Sequence, residues 1–266
     1  MKIIQITDTH LVPSGTVVNG VDPEKQLRAV VADMLEKHAD ADLLVMTGDL
    51  CNDGEPEAYA LLRDILAPVP FEVRLLLGNH DRRPEFAAAF PEQPRDGNGY
   101  VQSATDTPFG RLLFLDSHEA GVIGGVYGAD RLAWLDTALA EAGEAPVTVF
   151  IHHPPMETGI RHFRDIGMHD DGALMRRLAA HPAGIRHILF GHIHIPMAGT
   201  SAEGIAYSAG QSCAHRFITD LDLPDPFWTG GNPCYRIVTL DAHGLRAYDA
   251  EVGQVATDRA PVCPGP

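Results

Sequence analysis

Five short stretches of this chain break off an apolar run and then present side chains that bind metals or protons. They are Asp8-Thr9-His10, Gly48-Asp49, Gly78-Asn79-His80-Asp81, His152-His153-Pro154-Pro155 and Gly191-His192-Ile193-His194. Carboxylate, amide and imidazole together form a donor set that suits borderline divalent metals such as zinc, manganese, iron or cobalt. Asp-x-His and His-x-His spacing would place both side chains on one side of an extended segment. The adjoining glycines would let the backbone turn sharply toward a shared centre. The donors outnumber the four of a tetrahedral zinc site, which points to two metals sharing a bridging carboxylate.

Such groups converge only if the runs before them are strands with a common end. Lys2 to Thr7, Leu43 to Thr47, Glu72 to Leu77, Val147 to Ile151 and His187 to Phe190 read as strands. Helical spacing falls between them. Asp22-Pro23 offers a cap followed by a proline at the first helical position, and Leu27, Val30, Val31, Met34 and Leu35 then mark one helix face. Ala58, Leu61, Leu62 and Ile65 mark a second, which ends before Pro68. Further helices are expected over residues 129–142 and near Leu174 to Leu178. Tyr100 to Ala104 and Arg111 to Leu115 should form a hairpin, and late strands are expected at Gly204 to Ser208, Tyr235 to Leu240 and Leu245 to Asp249. Alternation of this kind predicts an α/β fold with functional groups at the carboxyl ends of its strands.

Composition narrows the function. The chain has 266 residues, 45% of them apolar, enough for a self-sufficient core. With 36 acidic against 20 basic residues the net charge is −16, and no basic run appears. That balance argues against stable nucleic-acid binding and against an anionic membrane surface. A small anionic substrate is still allowed if metal ions supply the local positive field. Cys51, Cys213, Cys234 and Cys263 have no CxxC spacing, Asp8 comes too early for a signal-peptide core, and no apolar run approaches a membrane span. A cytoplasmic protein is the expectation.

Asp8-x-His10, Gly48-Asp49, Gly78-Asn79-His80-Asp81, His152-x-Pro154 and Gly191-His192-x-His194 resemble, in that order, the signature of the calcineurin-like metallophosphoesterases. The "HHPP" run, the "LDS" of Leu115 to Ser117 and the glycine-rich loop after it look like the branch of class III cyclic nucleotide phosphodiesterases and glycerophosphodiesterases. The resemblance implies a four-layer αββα sandwich of two mixed β-sheets flanked by helices. One divalent metal would be held by Asp8, His10, Asp49 and His194. A second would be held by Asp49, Asn79, His152 and His192, with Asp49 bridging. By eye either histidine of the "HHPP" run could serve; the family's His-x-Pro spacing selects His152 and leaves His153 packed behind it.

The reaction implied is hydrolysis of a small phosphodiester, a cyclic nucleotide or a glycerophosphodiester, by a hydroxide held between the metals. Phosphomonoesters or phosphonate monoesters could use the same core. A non-catalytic scaffold and a DNA nuclease are the competing classes; no motif position is vacant, and the acidic balance speaks against the nuclease. Asp49 and His80 are the expected catalytic residues, His80 because it adjoins a ligand and could protonate the leaving group. Asp81 would orient His80 or cap a helix. Asn79, His80 and Asn52 would contact substrate.

In domain terms, residues 1–210 should form the core, 211–234 a cap or lid, 235–256 the strands completing the core, and 257–266 a loosely ordered tail. The cap contains "HRFITDLDLPDPFWTGGNP", residues 215–233. Its Phe217, Phe227 and Trp228 would face substrate or a second copy in a homo-oligomer, while His215 and Arg216 could meet a phosphate but are expected first on the solvated surface. The loop "GVIGGVYG", residues 121–128, reads as flexible, and His118 as surface or core without metal spacing.

Overall fold

A computed structural model describes residues 1–169 and 172–254. The first sheet holds β1 (Lys2–Ile6), β2 (Leu43–Thr47), β3 (Glu72–Leu76), β12 (Cys234–Asp241) and β13 (Gly244–Glu251), in the order β13-β12-β1-β2-β3. β1, β2 and β3 run parallel, while β12 is antiparallel to both β1 and β13. The second sheet holds β4 (Ser103–Thr107), β5 (Gly110–Phe114), β6 (Val147–Phe150), β7 (Ile185–Phe190), β8 (Met197–Thr200) and β9 (Ala206–Ala209), in the order β4-β5-β6-β7-β9-β8. Its four inner strands are parallel and both edge strands antiparallel.

Successive side chains of a strand point to opposite faces, and the apolar runs use both. Ile3, Leu43, Val45 and Leu76 of the first sheet meet Leu112, Phe114, Phe150 and Leu189 of the second in a core between the sheets. Ile4, Ile6, Leu44 and Met46 face the other way, against α1 (Pro23–His38), α2 (Pro56–Leu66) and α3 (Arg83–Ala89). Leu113, Val149, Ile188 and Phe190 face α4 (Ala129–Ala142) and α5 (Ala173–Ala179). The result is the expected four-layer αββα sandwich, and it brings the carboxyl ends of β1, β2, β3, β6 and β7 to one rim.

The Asp22 side chain accepts the Lys25 amide at 3.0 Å, so α1 begins where its cap and Pro23 place it. α3 and β8 do not stand out in the sequence. α3 has only seven residues and a single fully buried side chain, Phe86, which packs against Tyr59 and Phe90. Burying such a ring contributes about 1.5–3 kcal/mol, which a periodicity reading does not register. β8 is an edge strand whose last three residues are exposed, so it lacks apolar alternation. The hairpin expected from Tyr100 begins later, at Ser103, because Asp96 binds the Tyr100 amide and the Gln102 side chain and draws that segment out of the sheet.

After β9 the chain leaves the second sheet and forms a two-stranded hairpin, β10 (Arg216–Phe217) with β11 (Trp228–Thr229), before β12. The expected tail, 257–266, lies outside the described residues. Among the described residues no helix is long and apolar enough to cross a membrane.

Candidate metal centre

Among the described residues, five of the six non-glycine residues with positive φ are Asp8, His10, Asp49, His192 and His194, at φ 54°, 45°, 47°, 68° and 52°. The rim residues therefore make the turns themselves, and Asp8-x-His10 is not the extended segment that its spacing suggested. Left-handed backbone at a non-glycine residue costs about 1–2 kcal/mol, and strain of this kind collects at functional sites. Of the rim glycines, Gly48 does adopt a left-handed angle, φ +91°. Gly78 and Gly191 are needed for space instead. A Cβ on Gly78 would strike the Asp49 carboxylate and the His152 ring, and one on Gly191 would strike the Thr7 hydroxyl.

The seven residues named from the sequence come together. His10 Nε2 lies 3.1 Å from His194 Nε2 and 3.6 Å from Asp49 Oδ2, and His194 Nε2 lies 3.5 Å from Asp8 Oδ1. Donor atoms of Asp8, His10, Asp49 and His194 all fall within 4.8 Å of one another. On the other side of Asp49, His152 Nε2 lies 3.3 Å from Asp49 Oδ2 and 3.3 Å from Asn79 Oδ1, with the His192 ring 5.2 Å from that of His152. Asp49 Oδ2 thus faces an imidazole from each side, while its Oδ1 accepts the His80 amide at 3.0 Å.

Hydrogen bonds at the far ring edges decide which atoms face inward. His152 Nδ1 donates to the Thr47 carbonyl at 2.7 Å, and His194 Nδ1 to the His215 carbonyl at 2.8 Å. His10 Nδ1 reaches Asn52 Oδ1 at 3.3 Å, and His192 Nε2 donates to the Ile166 carbonyl at 3.0 Å. In the neutral rings the protons are therefore on the outside, and the Nε2 lone pairs of His10 and His194 point at each other. That arrangement is repulsive unless a cation lies between them, so the donor set fits divalent metal in both character and orientation.

Burial holds His10 well below its ordinary pKa and brings His192 and His194 to about 3 and about 4, so these rings are neutral at pH 7. The burial that lowers these histidines would raise Asp49, but His152 and His80 outweigh it and hold the carboxylate well below its ordinary pKa.

Several neighbours differ from their sequence readings. His215 is 1% exposed rather than solvated, and neither of its ring nitrogens has a partner among the described residues. Its ring lies 4.7 Å from that of His10 and 4.8 Å from that of His194, with Trp228 edge-on at 4.2 Å. A residue beyond the five motifs carries no local signal of this; only the β10–β11 hairpin brings it back. Asp81 neither orients His80 nor caps α3. Its carboxylate accepts the amides of Leu50, Cys51 and Gly78 and the Tyr59 hydroxyl, tying together the loops after β2 and β3. A donor atom of His153 lies within 4.8 Å of donors of His152 and His192, and its ring meets Ser117 Oγ from Nδ1 at 2.8 Å and the Ile123 carbonyl from Nε2 at 3.1 Å. The loop read as flexible is consequently held: Gly125 also exchanges backbone bonds with Gly167 and His169.

Arg216 is half-buried, and its guanidinium bonds the Asn232 carbonyl and the Cys234 thiol. Phe217 is 8% exposed and stacks on Trp228 at 4.1 Å, whereas Phe227 is 57% exposed.

A cleft of about 740 Å³ opens beside the rim, with Asn52, Asn79 and His80 in its wall. The His80 ring lies 4.7 Å from that of His10.

A sequence profile of the calcineurin-like phosphoesterase family matches residues 1–196. A probable cyclic nucleotide phosphodiesterase of Rhodopseudomonas palustris is 35% identical over 229 residues, which cover 83% of this chain and 81% of that protein. The 3',5'-cyclic adenosine monophosphate phosphodiesterase CpdA of Pseudomonas aeruginosa is 32% identical, covering 72% and 69%, and the glycerophosphodiester phosphodiesterase GpdQ of Enterobacter lignolyticus 31%, covering 73% and 71%. Among solved structures, a dimetal phosphatase from Danio rerio superposes with a TM-score of 0.70 at 14% identity, covering 95% of this chain and 99% of that one. It has the same fold.

Proposed function

The chain belongs to the calcineurin-like phosphoesterase family, and from that premise we propose that it is a binuclear, metal-dependent hydrolase of small phosphodiesters, either cyclic nucleotides or glycerophosphodiesters. The observation that carries the reading is Asp49 Oδ2, approached by His10 from one donor cluster and by His152 from the other. Asp8, His10, Asp49 and His194 would hold one divalent ion, and Asp49, Asn79, His152 and His192 the second. We leave the metals as manganese, iron, zinc or cobalt, which this donor set suits equally.

Two such ions would supply positive charge at the phosphoryl oxygens and a lowered pKa for water. The remaining roles belong to the chain. His80 Nδ1 donates to the Asn52 carbonyl at 2.7 Å, which leaves Nε2 free. Burial would lower the His80 pKa, but the Asp49 carboxylate raises it, and in the doubly protonated ring Nε2–H can donate to a phosphoryl oxygen or deliver its proton to the departing alkoxide, a contribution of about 10²–10⁴-fold. His215, whose ring lies 4.7 Å from that of His10 and whose nitrogens have no partner among the described residues, is a second group able to bond a phosphoryl oxygen. Trp228 leans on His215, which supports reading 211–234 as a lid beside the site. Phe227 is left as the exposed aromatic that a second copy could cover. The three described cysteines are unpaired, in keeping with a reducing cytoplasm.

The test is metal content together with hydrolysis of bis(4-nitrophenyl) phosphate, 3',5'-cyclic AMP, glycerophosphoethanolamine and 4-nitrophenyl phosphate. The reading expects about two metals per chain and diesters cleaved ahead of the monoester. Two metals without hydrolysis would identify a scaffold.

A further inference from the structure

We infer that the 740 Å³ cleft beside His80 is the seat of a nucleoside-sized alcohol moiety, and that His118 is a specificity-determining residue that hydrogen-bonds it. The inference rests on the phosphodiesterase reading and deepens it: of the two candidate substrate classes, the cleft takes the nucleotide. Its volume lies within the roughly 300–1,000 Å³ of clefts that enclose drug-sized ligands, far beyond what a glycerol fills. Pro84, Ala87, Ala120 and Gly121 give it a wall of small apolar groups, suited to the face of a heterocycle.

His118 lines this cleft and is only 3% exposed. Its backbone is mounted with unusual firmness. Its amide donates to Asp116 Oδ1 at 2.9 Å, and its carbonyl accepts from Arg83 at 2.9 Å and from Arg131 at 2.8 Å. Arg83 in turn pairs with the buried Asp116 at 3.0 Å. Three charged side chains thus converge on one residue, yet the imidazole they position makes no hydrogen bond among the described residues.

Nδ1 is buried without a partner. A proton there would be stranded, so the neutral ring carries its proton on Nε2 and offers an N–H donor to the cleft. A rigidly mounted, unsatisfied donor beside small apolar groups, in a wall that also carries Asp53, Arg82, Arg83 and Glu85, is an arrangement that reads an acceptor atom on a ligand. The complementary group is a ring nitrogen or carbonyl of a nucleobase.

The experiment compares wild type with His118→Ala, His118→Gln and Ala120→Phe, all manganese-loaded. KM is measured for 3',5'-cyclic AMP against methyl 4-nitrophenyl phosphate, and binding of AMP against inorganic phosphate by equilibrium dialysis. For His118→Ala the ratio of the two KM values should rise about 10-fold, as should the ratio of the two dissociation constants, the worth of one lost hydrogen bond. His118→Gln, which keeps a donor, should recover most of the loss. Ala120→Phe narrows the cleft without touching His118 and should weaken AMP but not phosphate; it carries the test if the Ala variant fails to fold. Equal losses for both members of each pair, or no loss for cyclic AMP and AMP, overturn the inference. If wild type cleaves no diester, the phosphodiesterase reading falls, and the comparison of AMP with phosphate alone decides the cleft.

Discussion

His80 Nδ1 and the Asn52 carbonyl are 2.7 Å apart, so the imidazole is held by main chain from the loop after β2 rather than by its neighbour Asp81. A carbonyl can only accept, which assigns the Nδ1 proton and leaves Nε2 as the nitrogen available to a ligand. His80→Ala is expected to lower kcat by about 10²–10³-fold with both metals retained. Metal analysis of the purified variant beside its steady-state kinetics checks this; loss of metal in parallel with activity would make His80 a support for the centre instead.

Asp81 predicts the opposite pattern. Four donors meet its two oxygens, and an amide would turn an NH2 group toward two of them. Asp81→Asn should destabilise the fold by about 2–4 kcal/mol, read as a lower urea midpoint at an unchanged slope. Its turnover at saturating metal should exceed that of His80→Ala. An unchanged midpoint would mean that the carboxylate does not hold these loops together.

The two donor clusters predict separable metal losses. His194→Ala removes a ring that meets His10 and Asp8, and His192→Ala removes one beside His152. Each variant should retain about one metal per chain by elemental analysis, and stripping the wild type with a chelator should lower Tm, because ligands that bind only the native state stabilise it. Loss of both metals from either variant would indicate a single, indivisible centre.

Far from the rim, His187 predicts an acid limb in stability. Its Nε2 lies 2.8 Å from Ser208 Oγ, which also accepts from Arg236 at 3.1 Å, so the hydroxyl proton points at an unprotonated imidazole. Burial, then the Arg236 charge, bring its pKa down from 6.5 to about 4. The unfolded chain takes up a proton near 6.5 and the native one only near 4. This contribution is therefore complete above about pH 6.5 and is lost as pH falls through that window, by up to about 3 kcal/mol. His187→Gln should flatten the curve of unfolding free energy between pH 4 and 6.5; an unaltered slope would contradict the assignment.

What could be read from the chain alone was whatever is written in local order. Apolar runs of alternating facing, Asp22-Pro23 at the start of α1, and an ordered series of donor-bearing strand ends are all short-range patterns. Parallel strands place their carboxyl ends on one rim, so knowing the strands nearly amounts to knowing which side chains meet. α3 escaped because its seven residues bury one ring, Phe86, and show no periodic apolar face.

Tertiary structure decided the rest, because those relationships join residues with no pattern between them. His215 reaches the rim from 21 residues beyond His194 and joins it through its carbonyl. Gly78 is glycine because His152, on the other sheet, occupies the space of its Cβ. His118 became a candidate contact only once Arg83 and Arg131 were seen to grip its carbonyl. Hydrogen-bond direction and excluded volume depend on where atoms lie in space, and a linear order of residue types does not contain them.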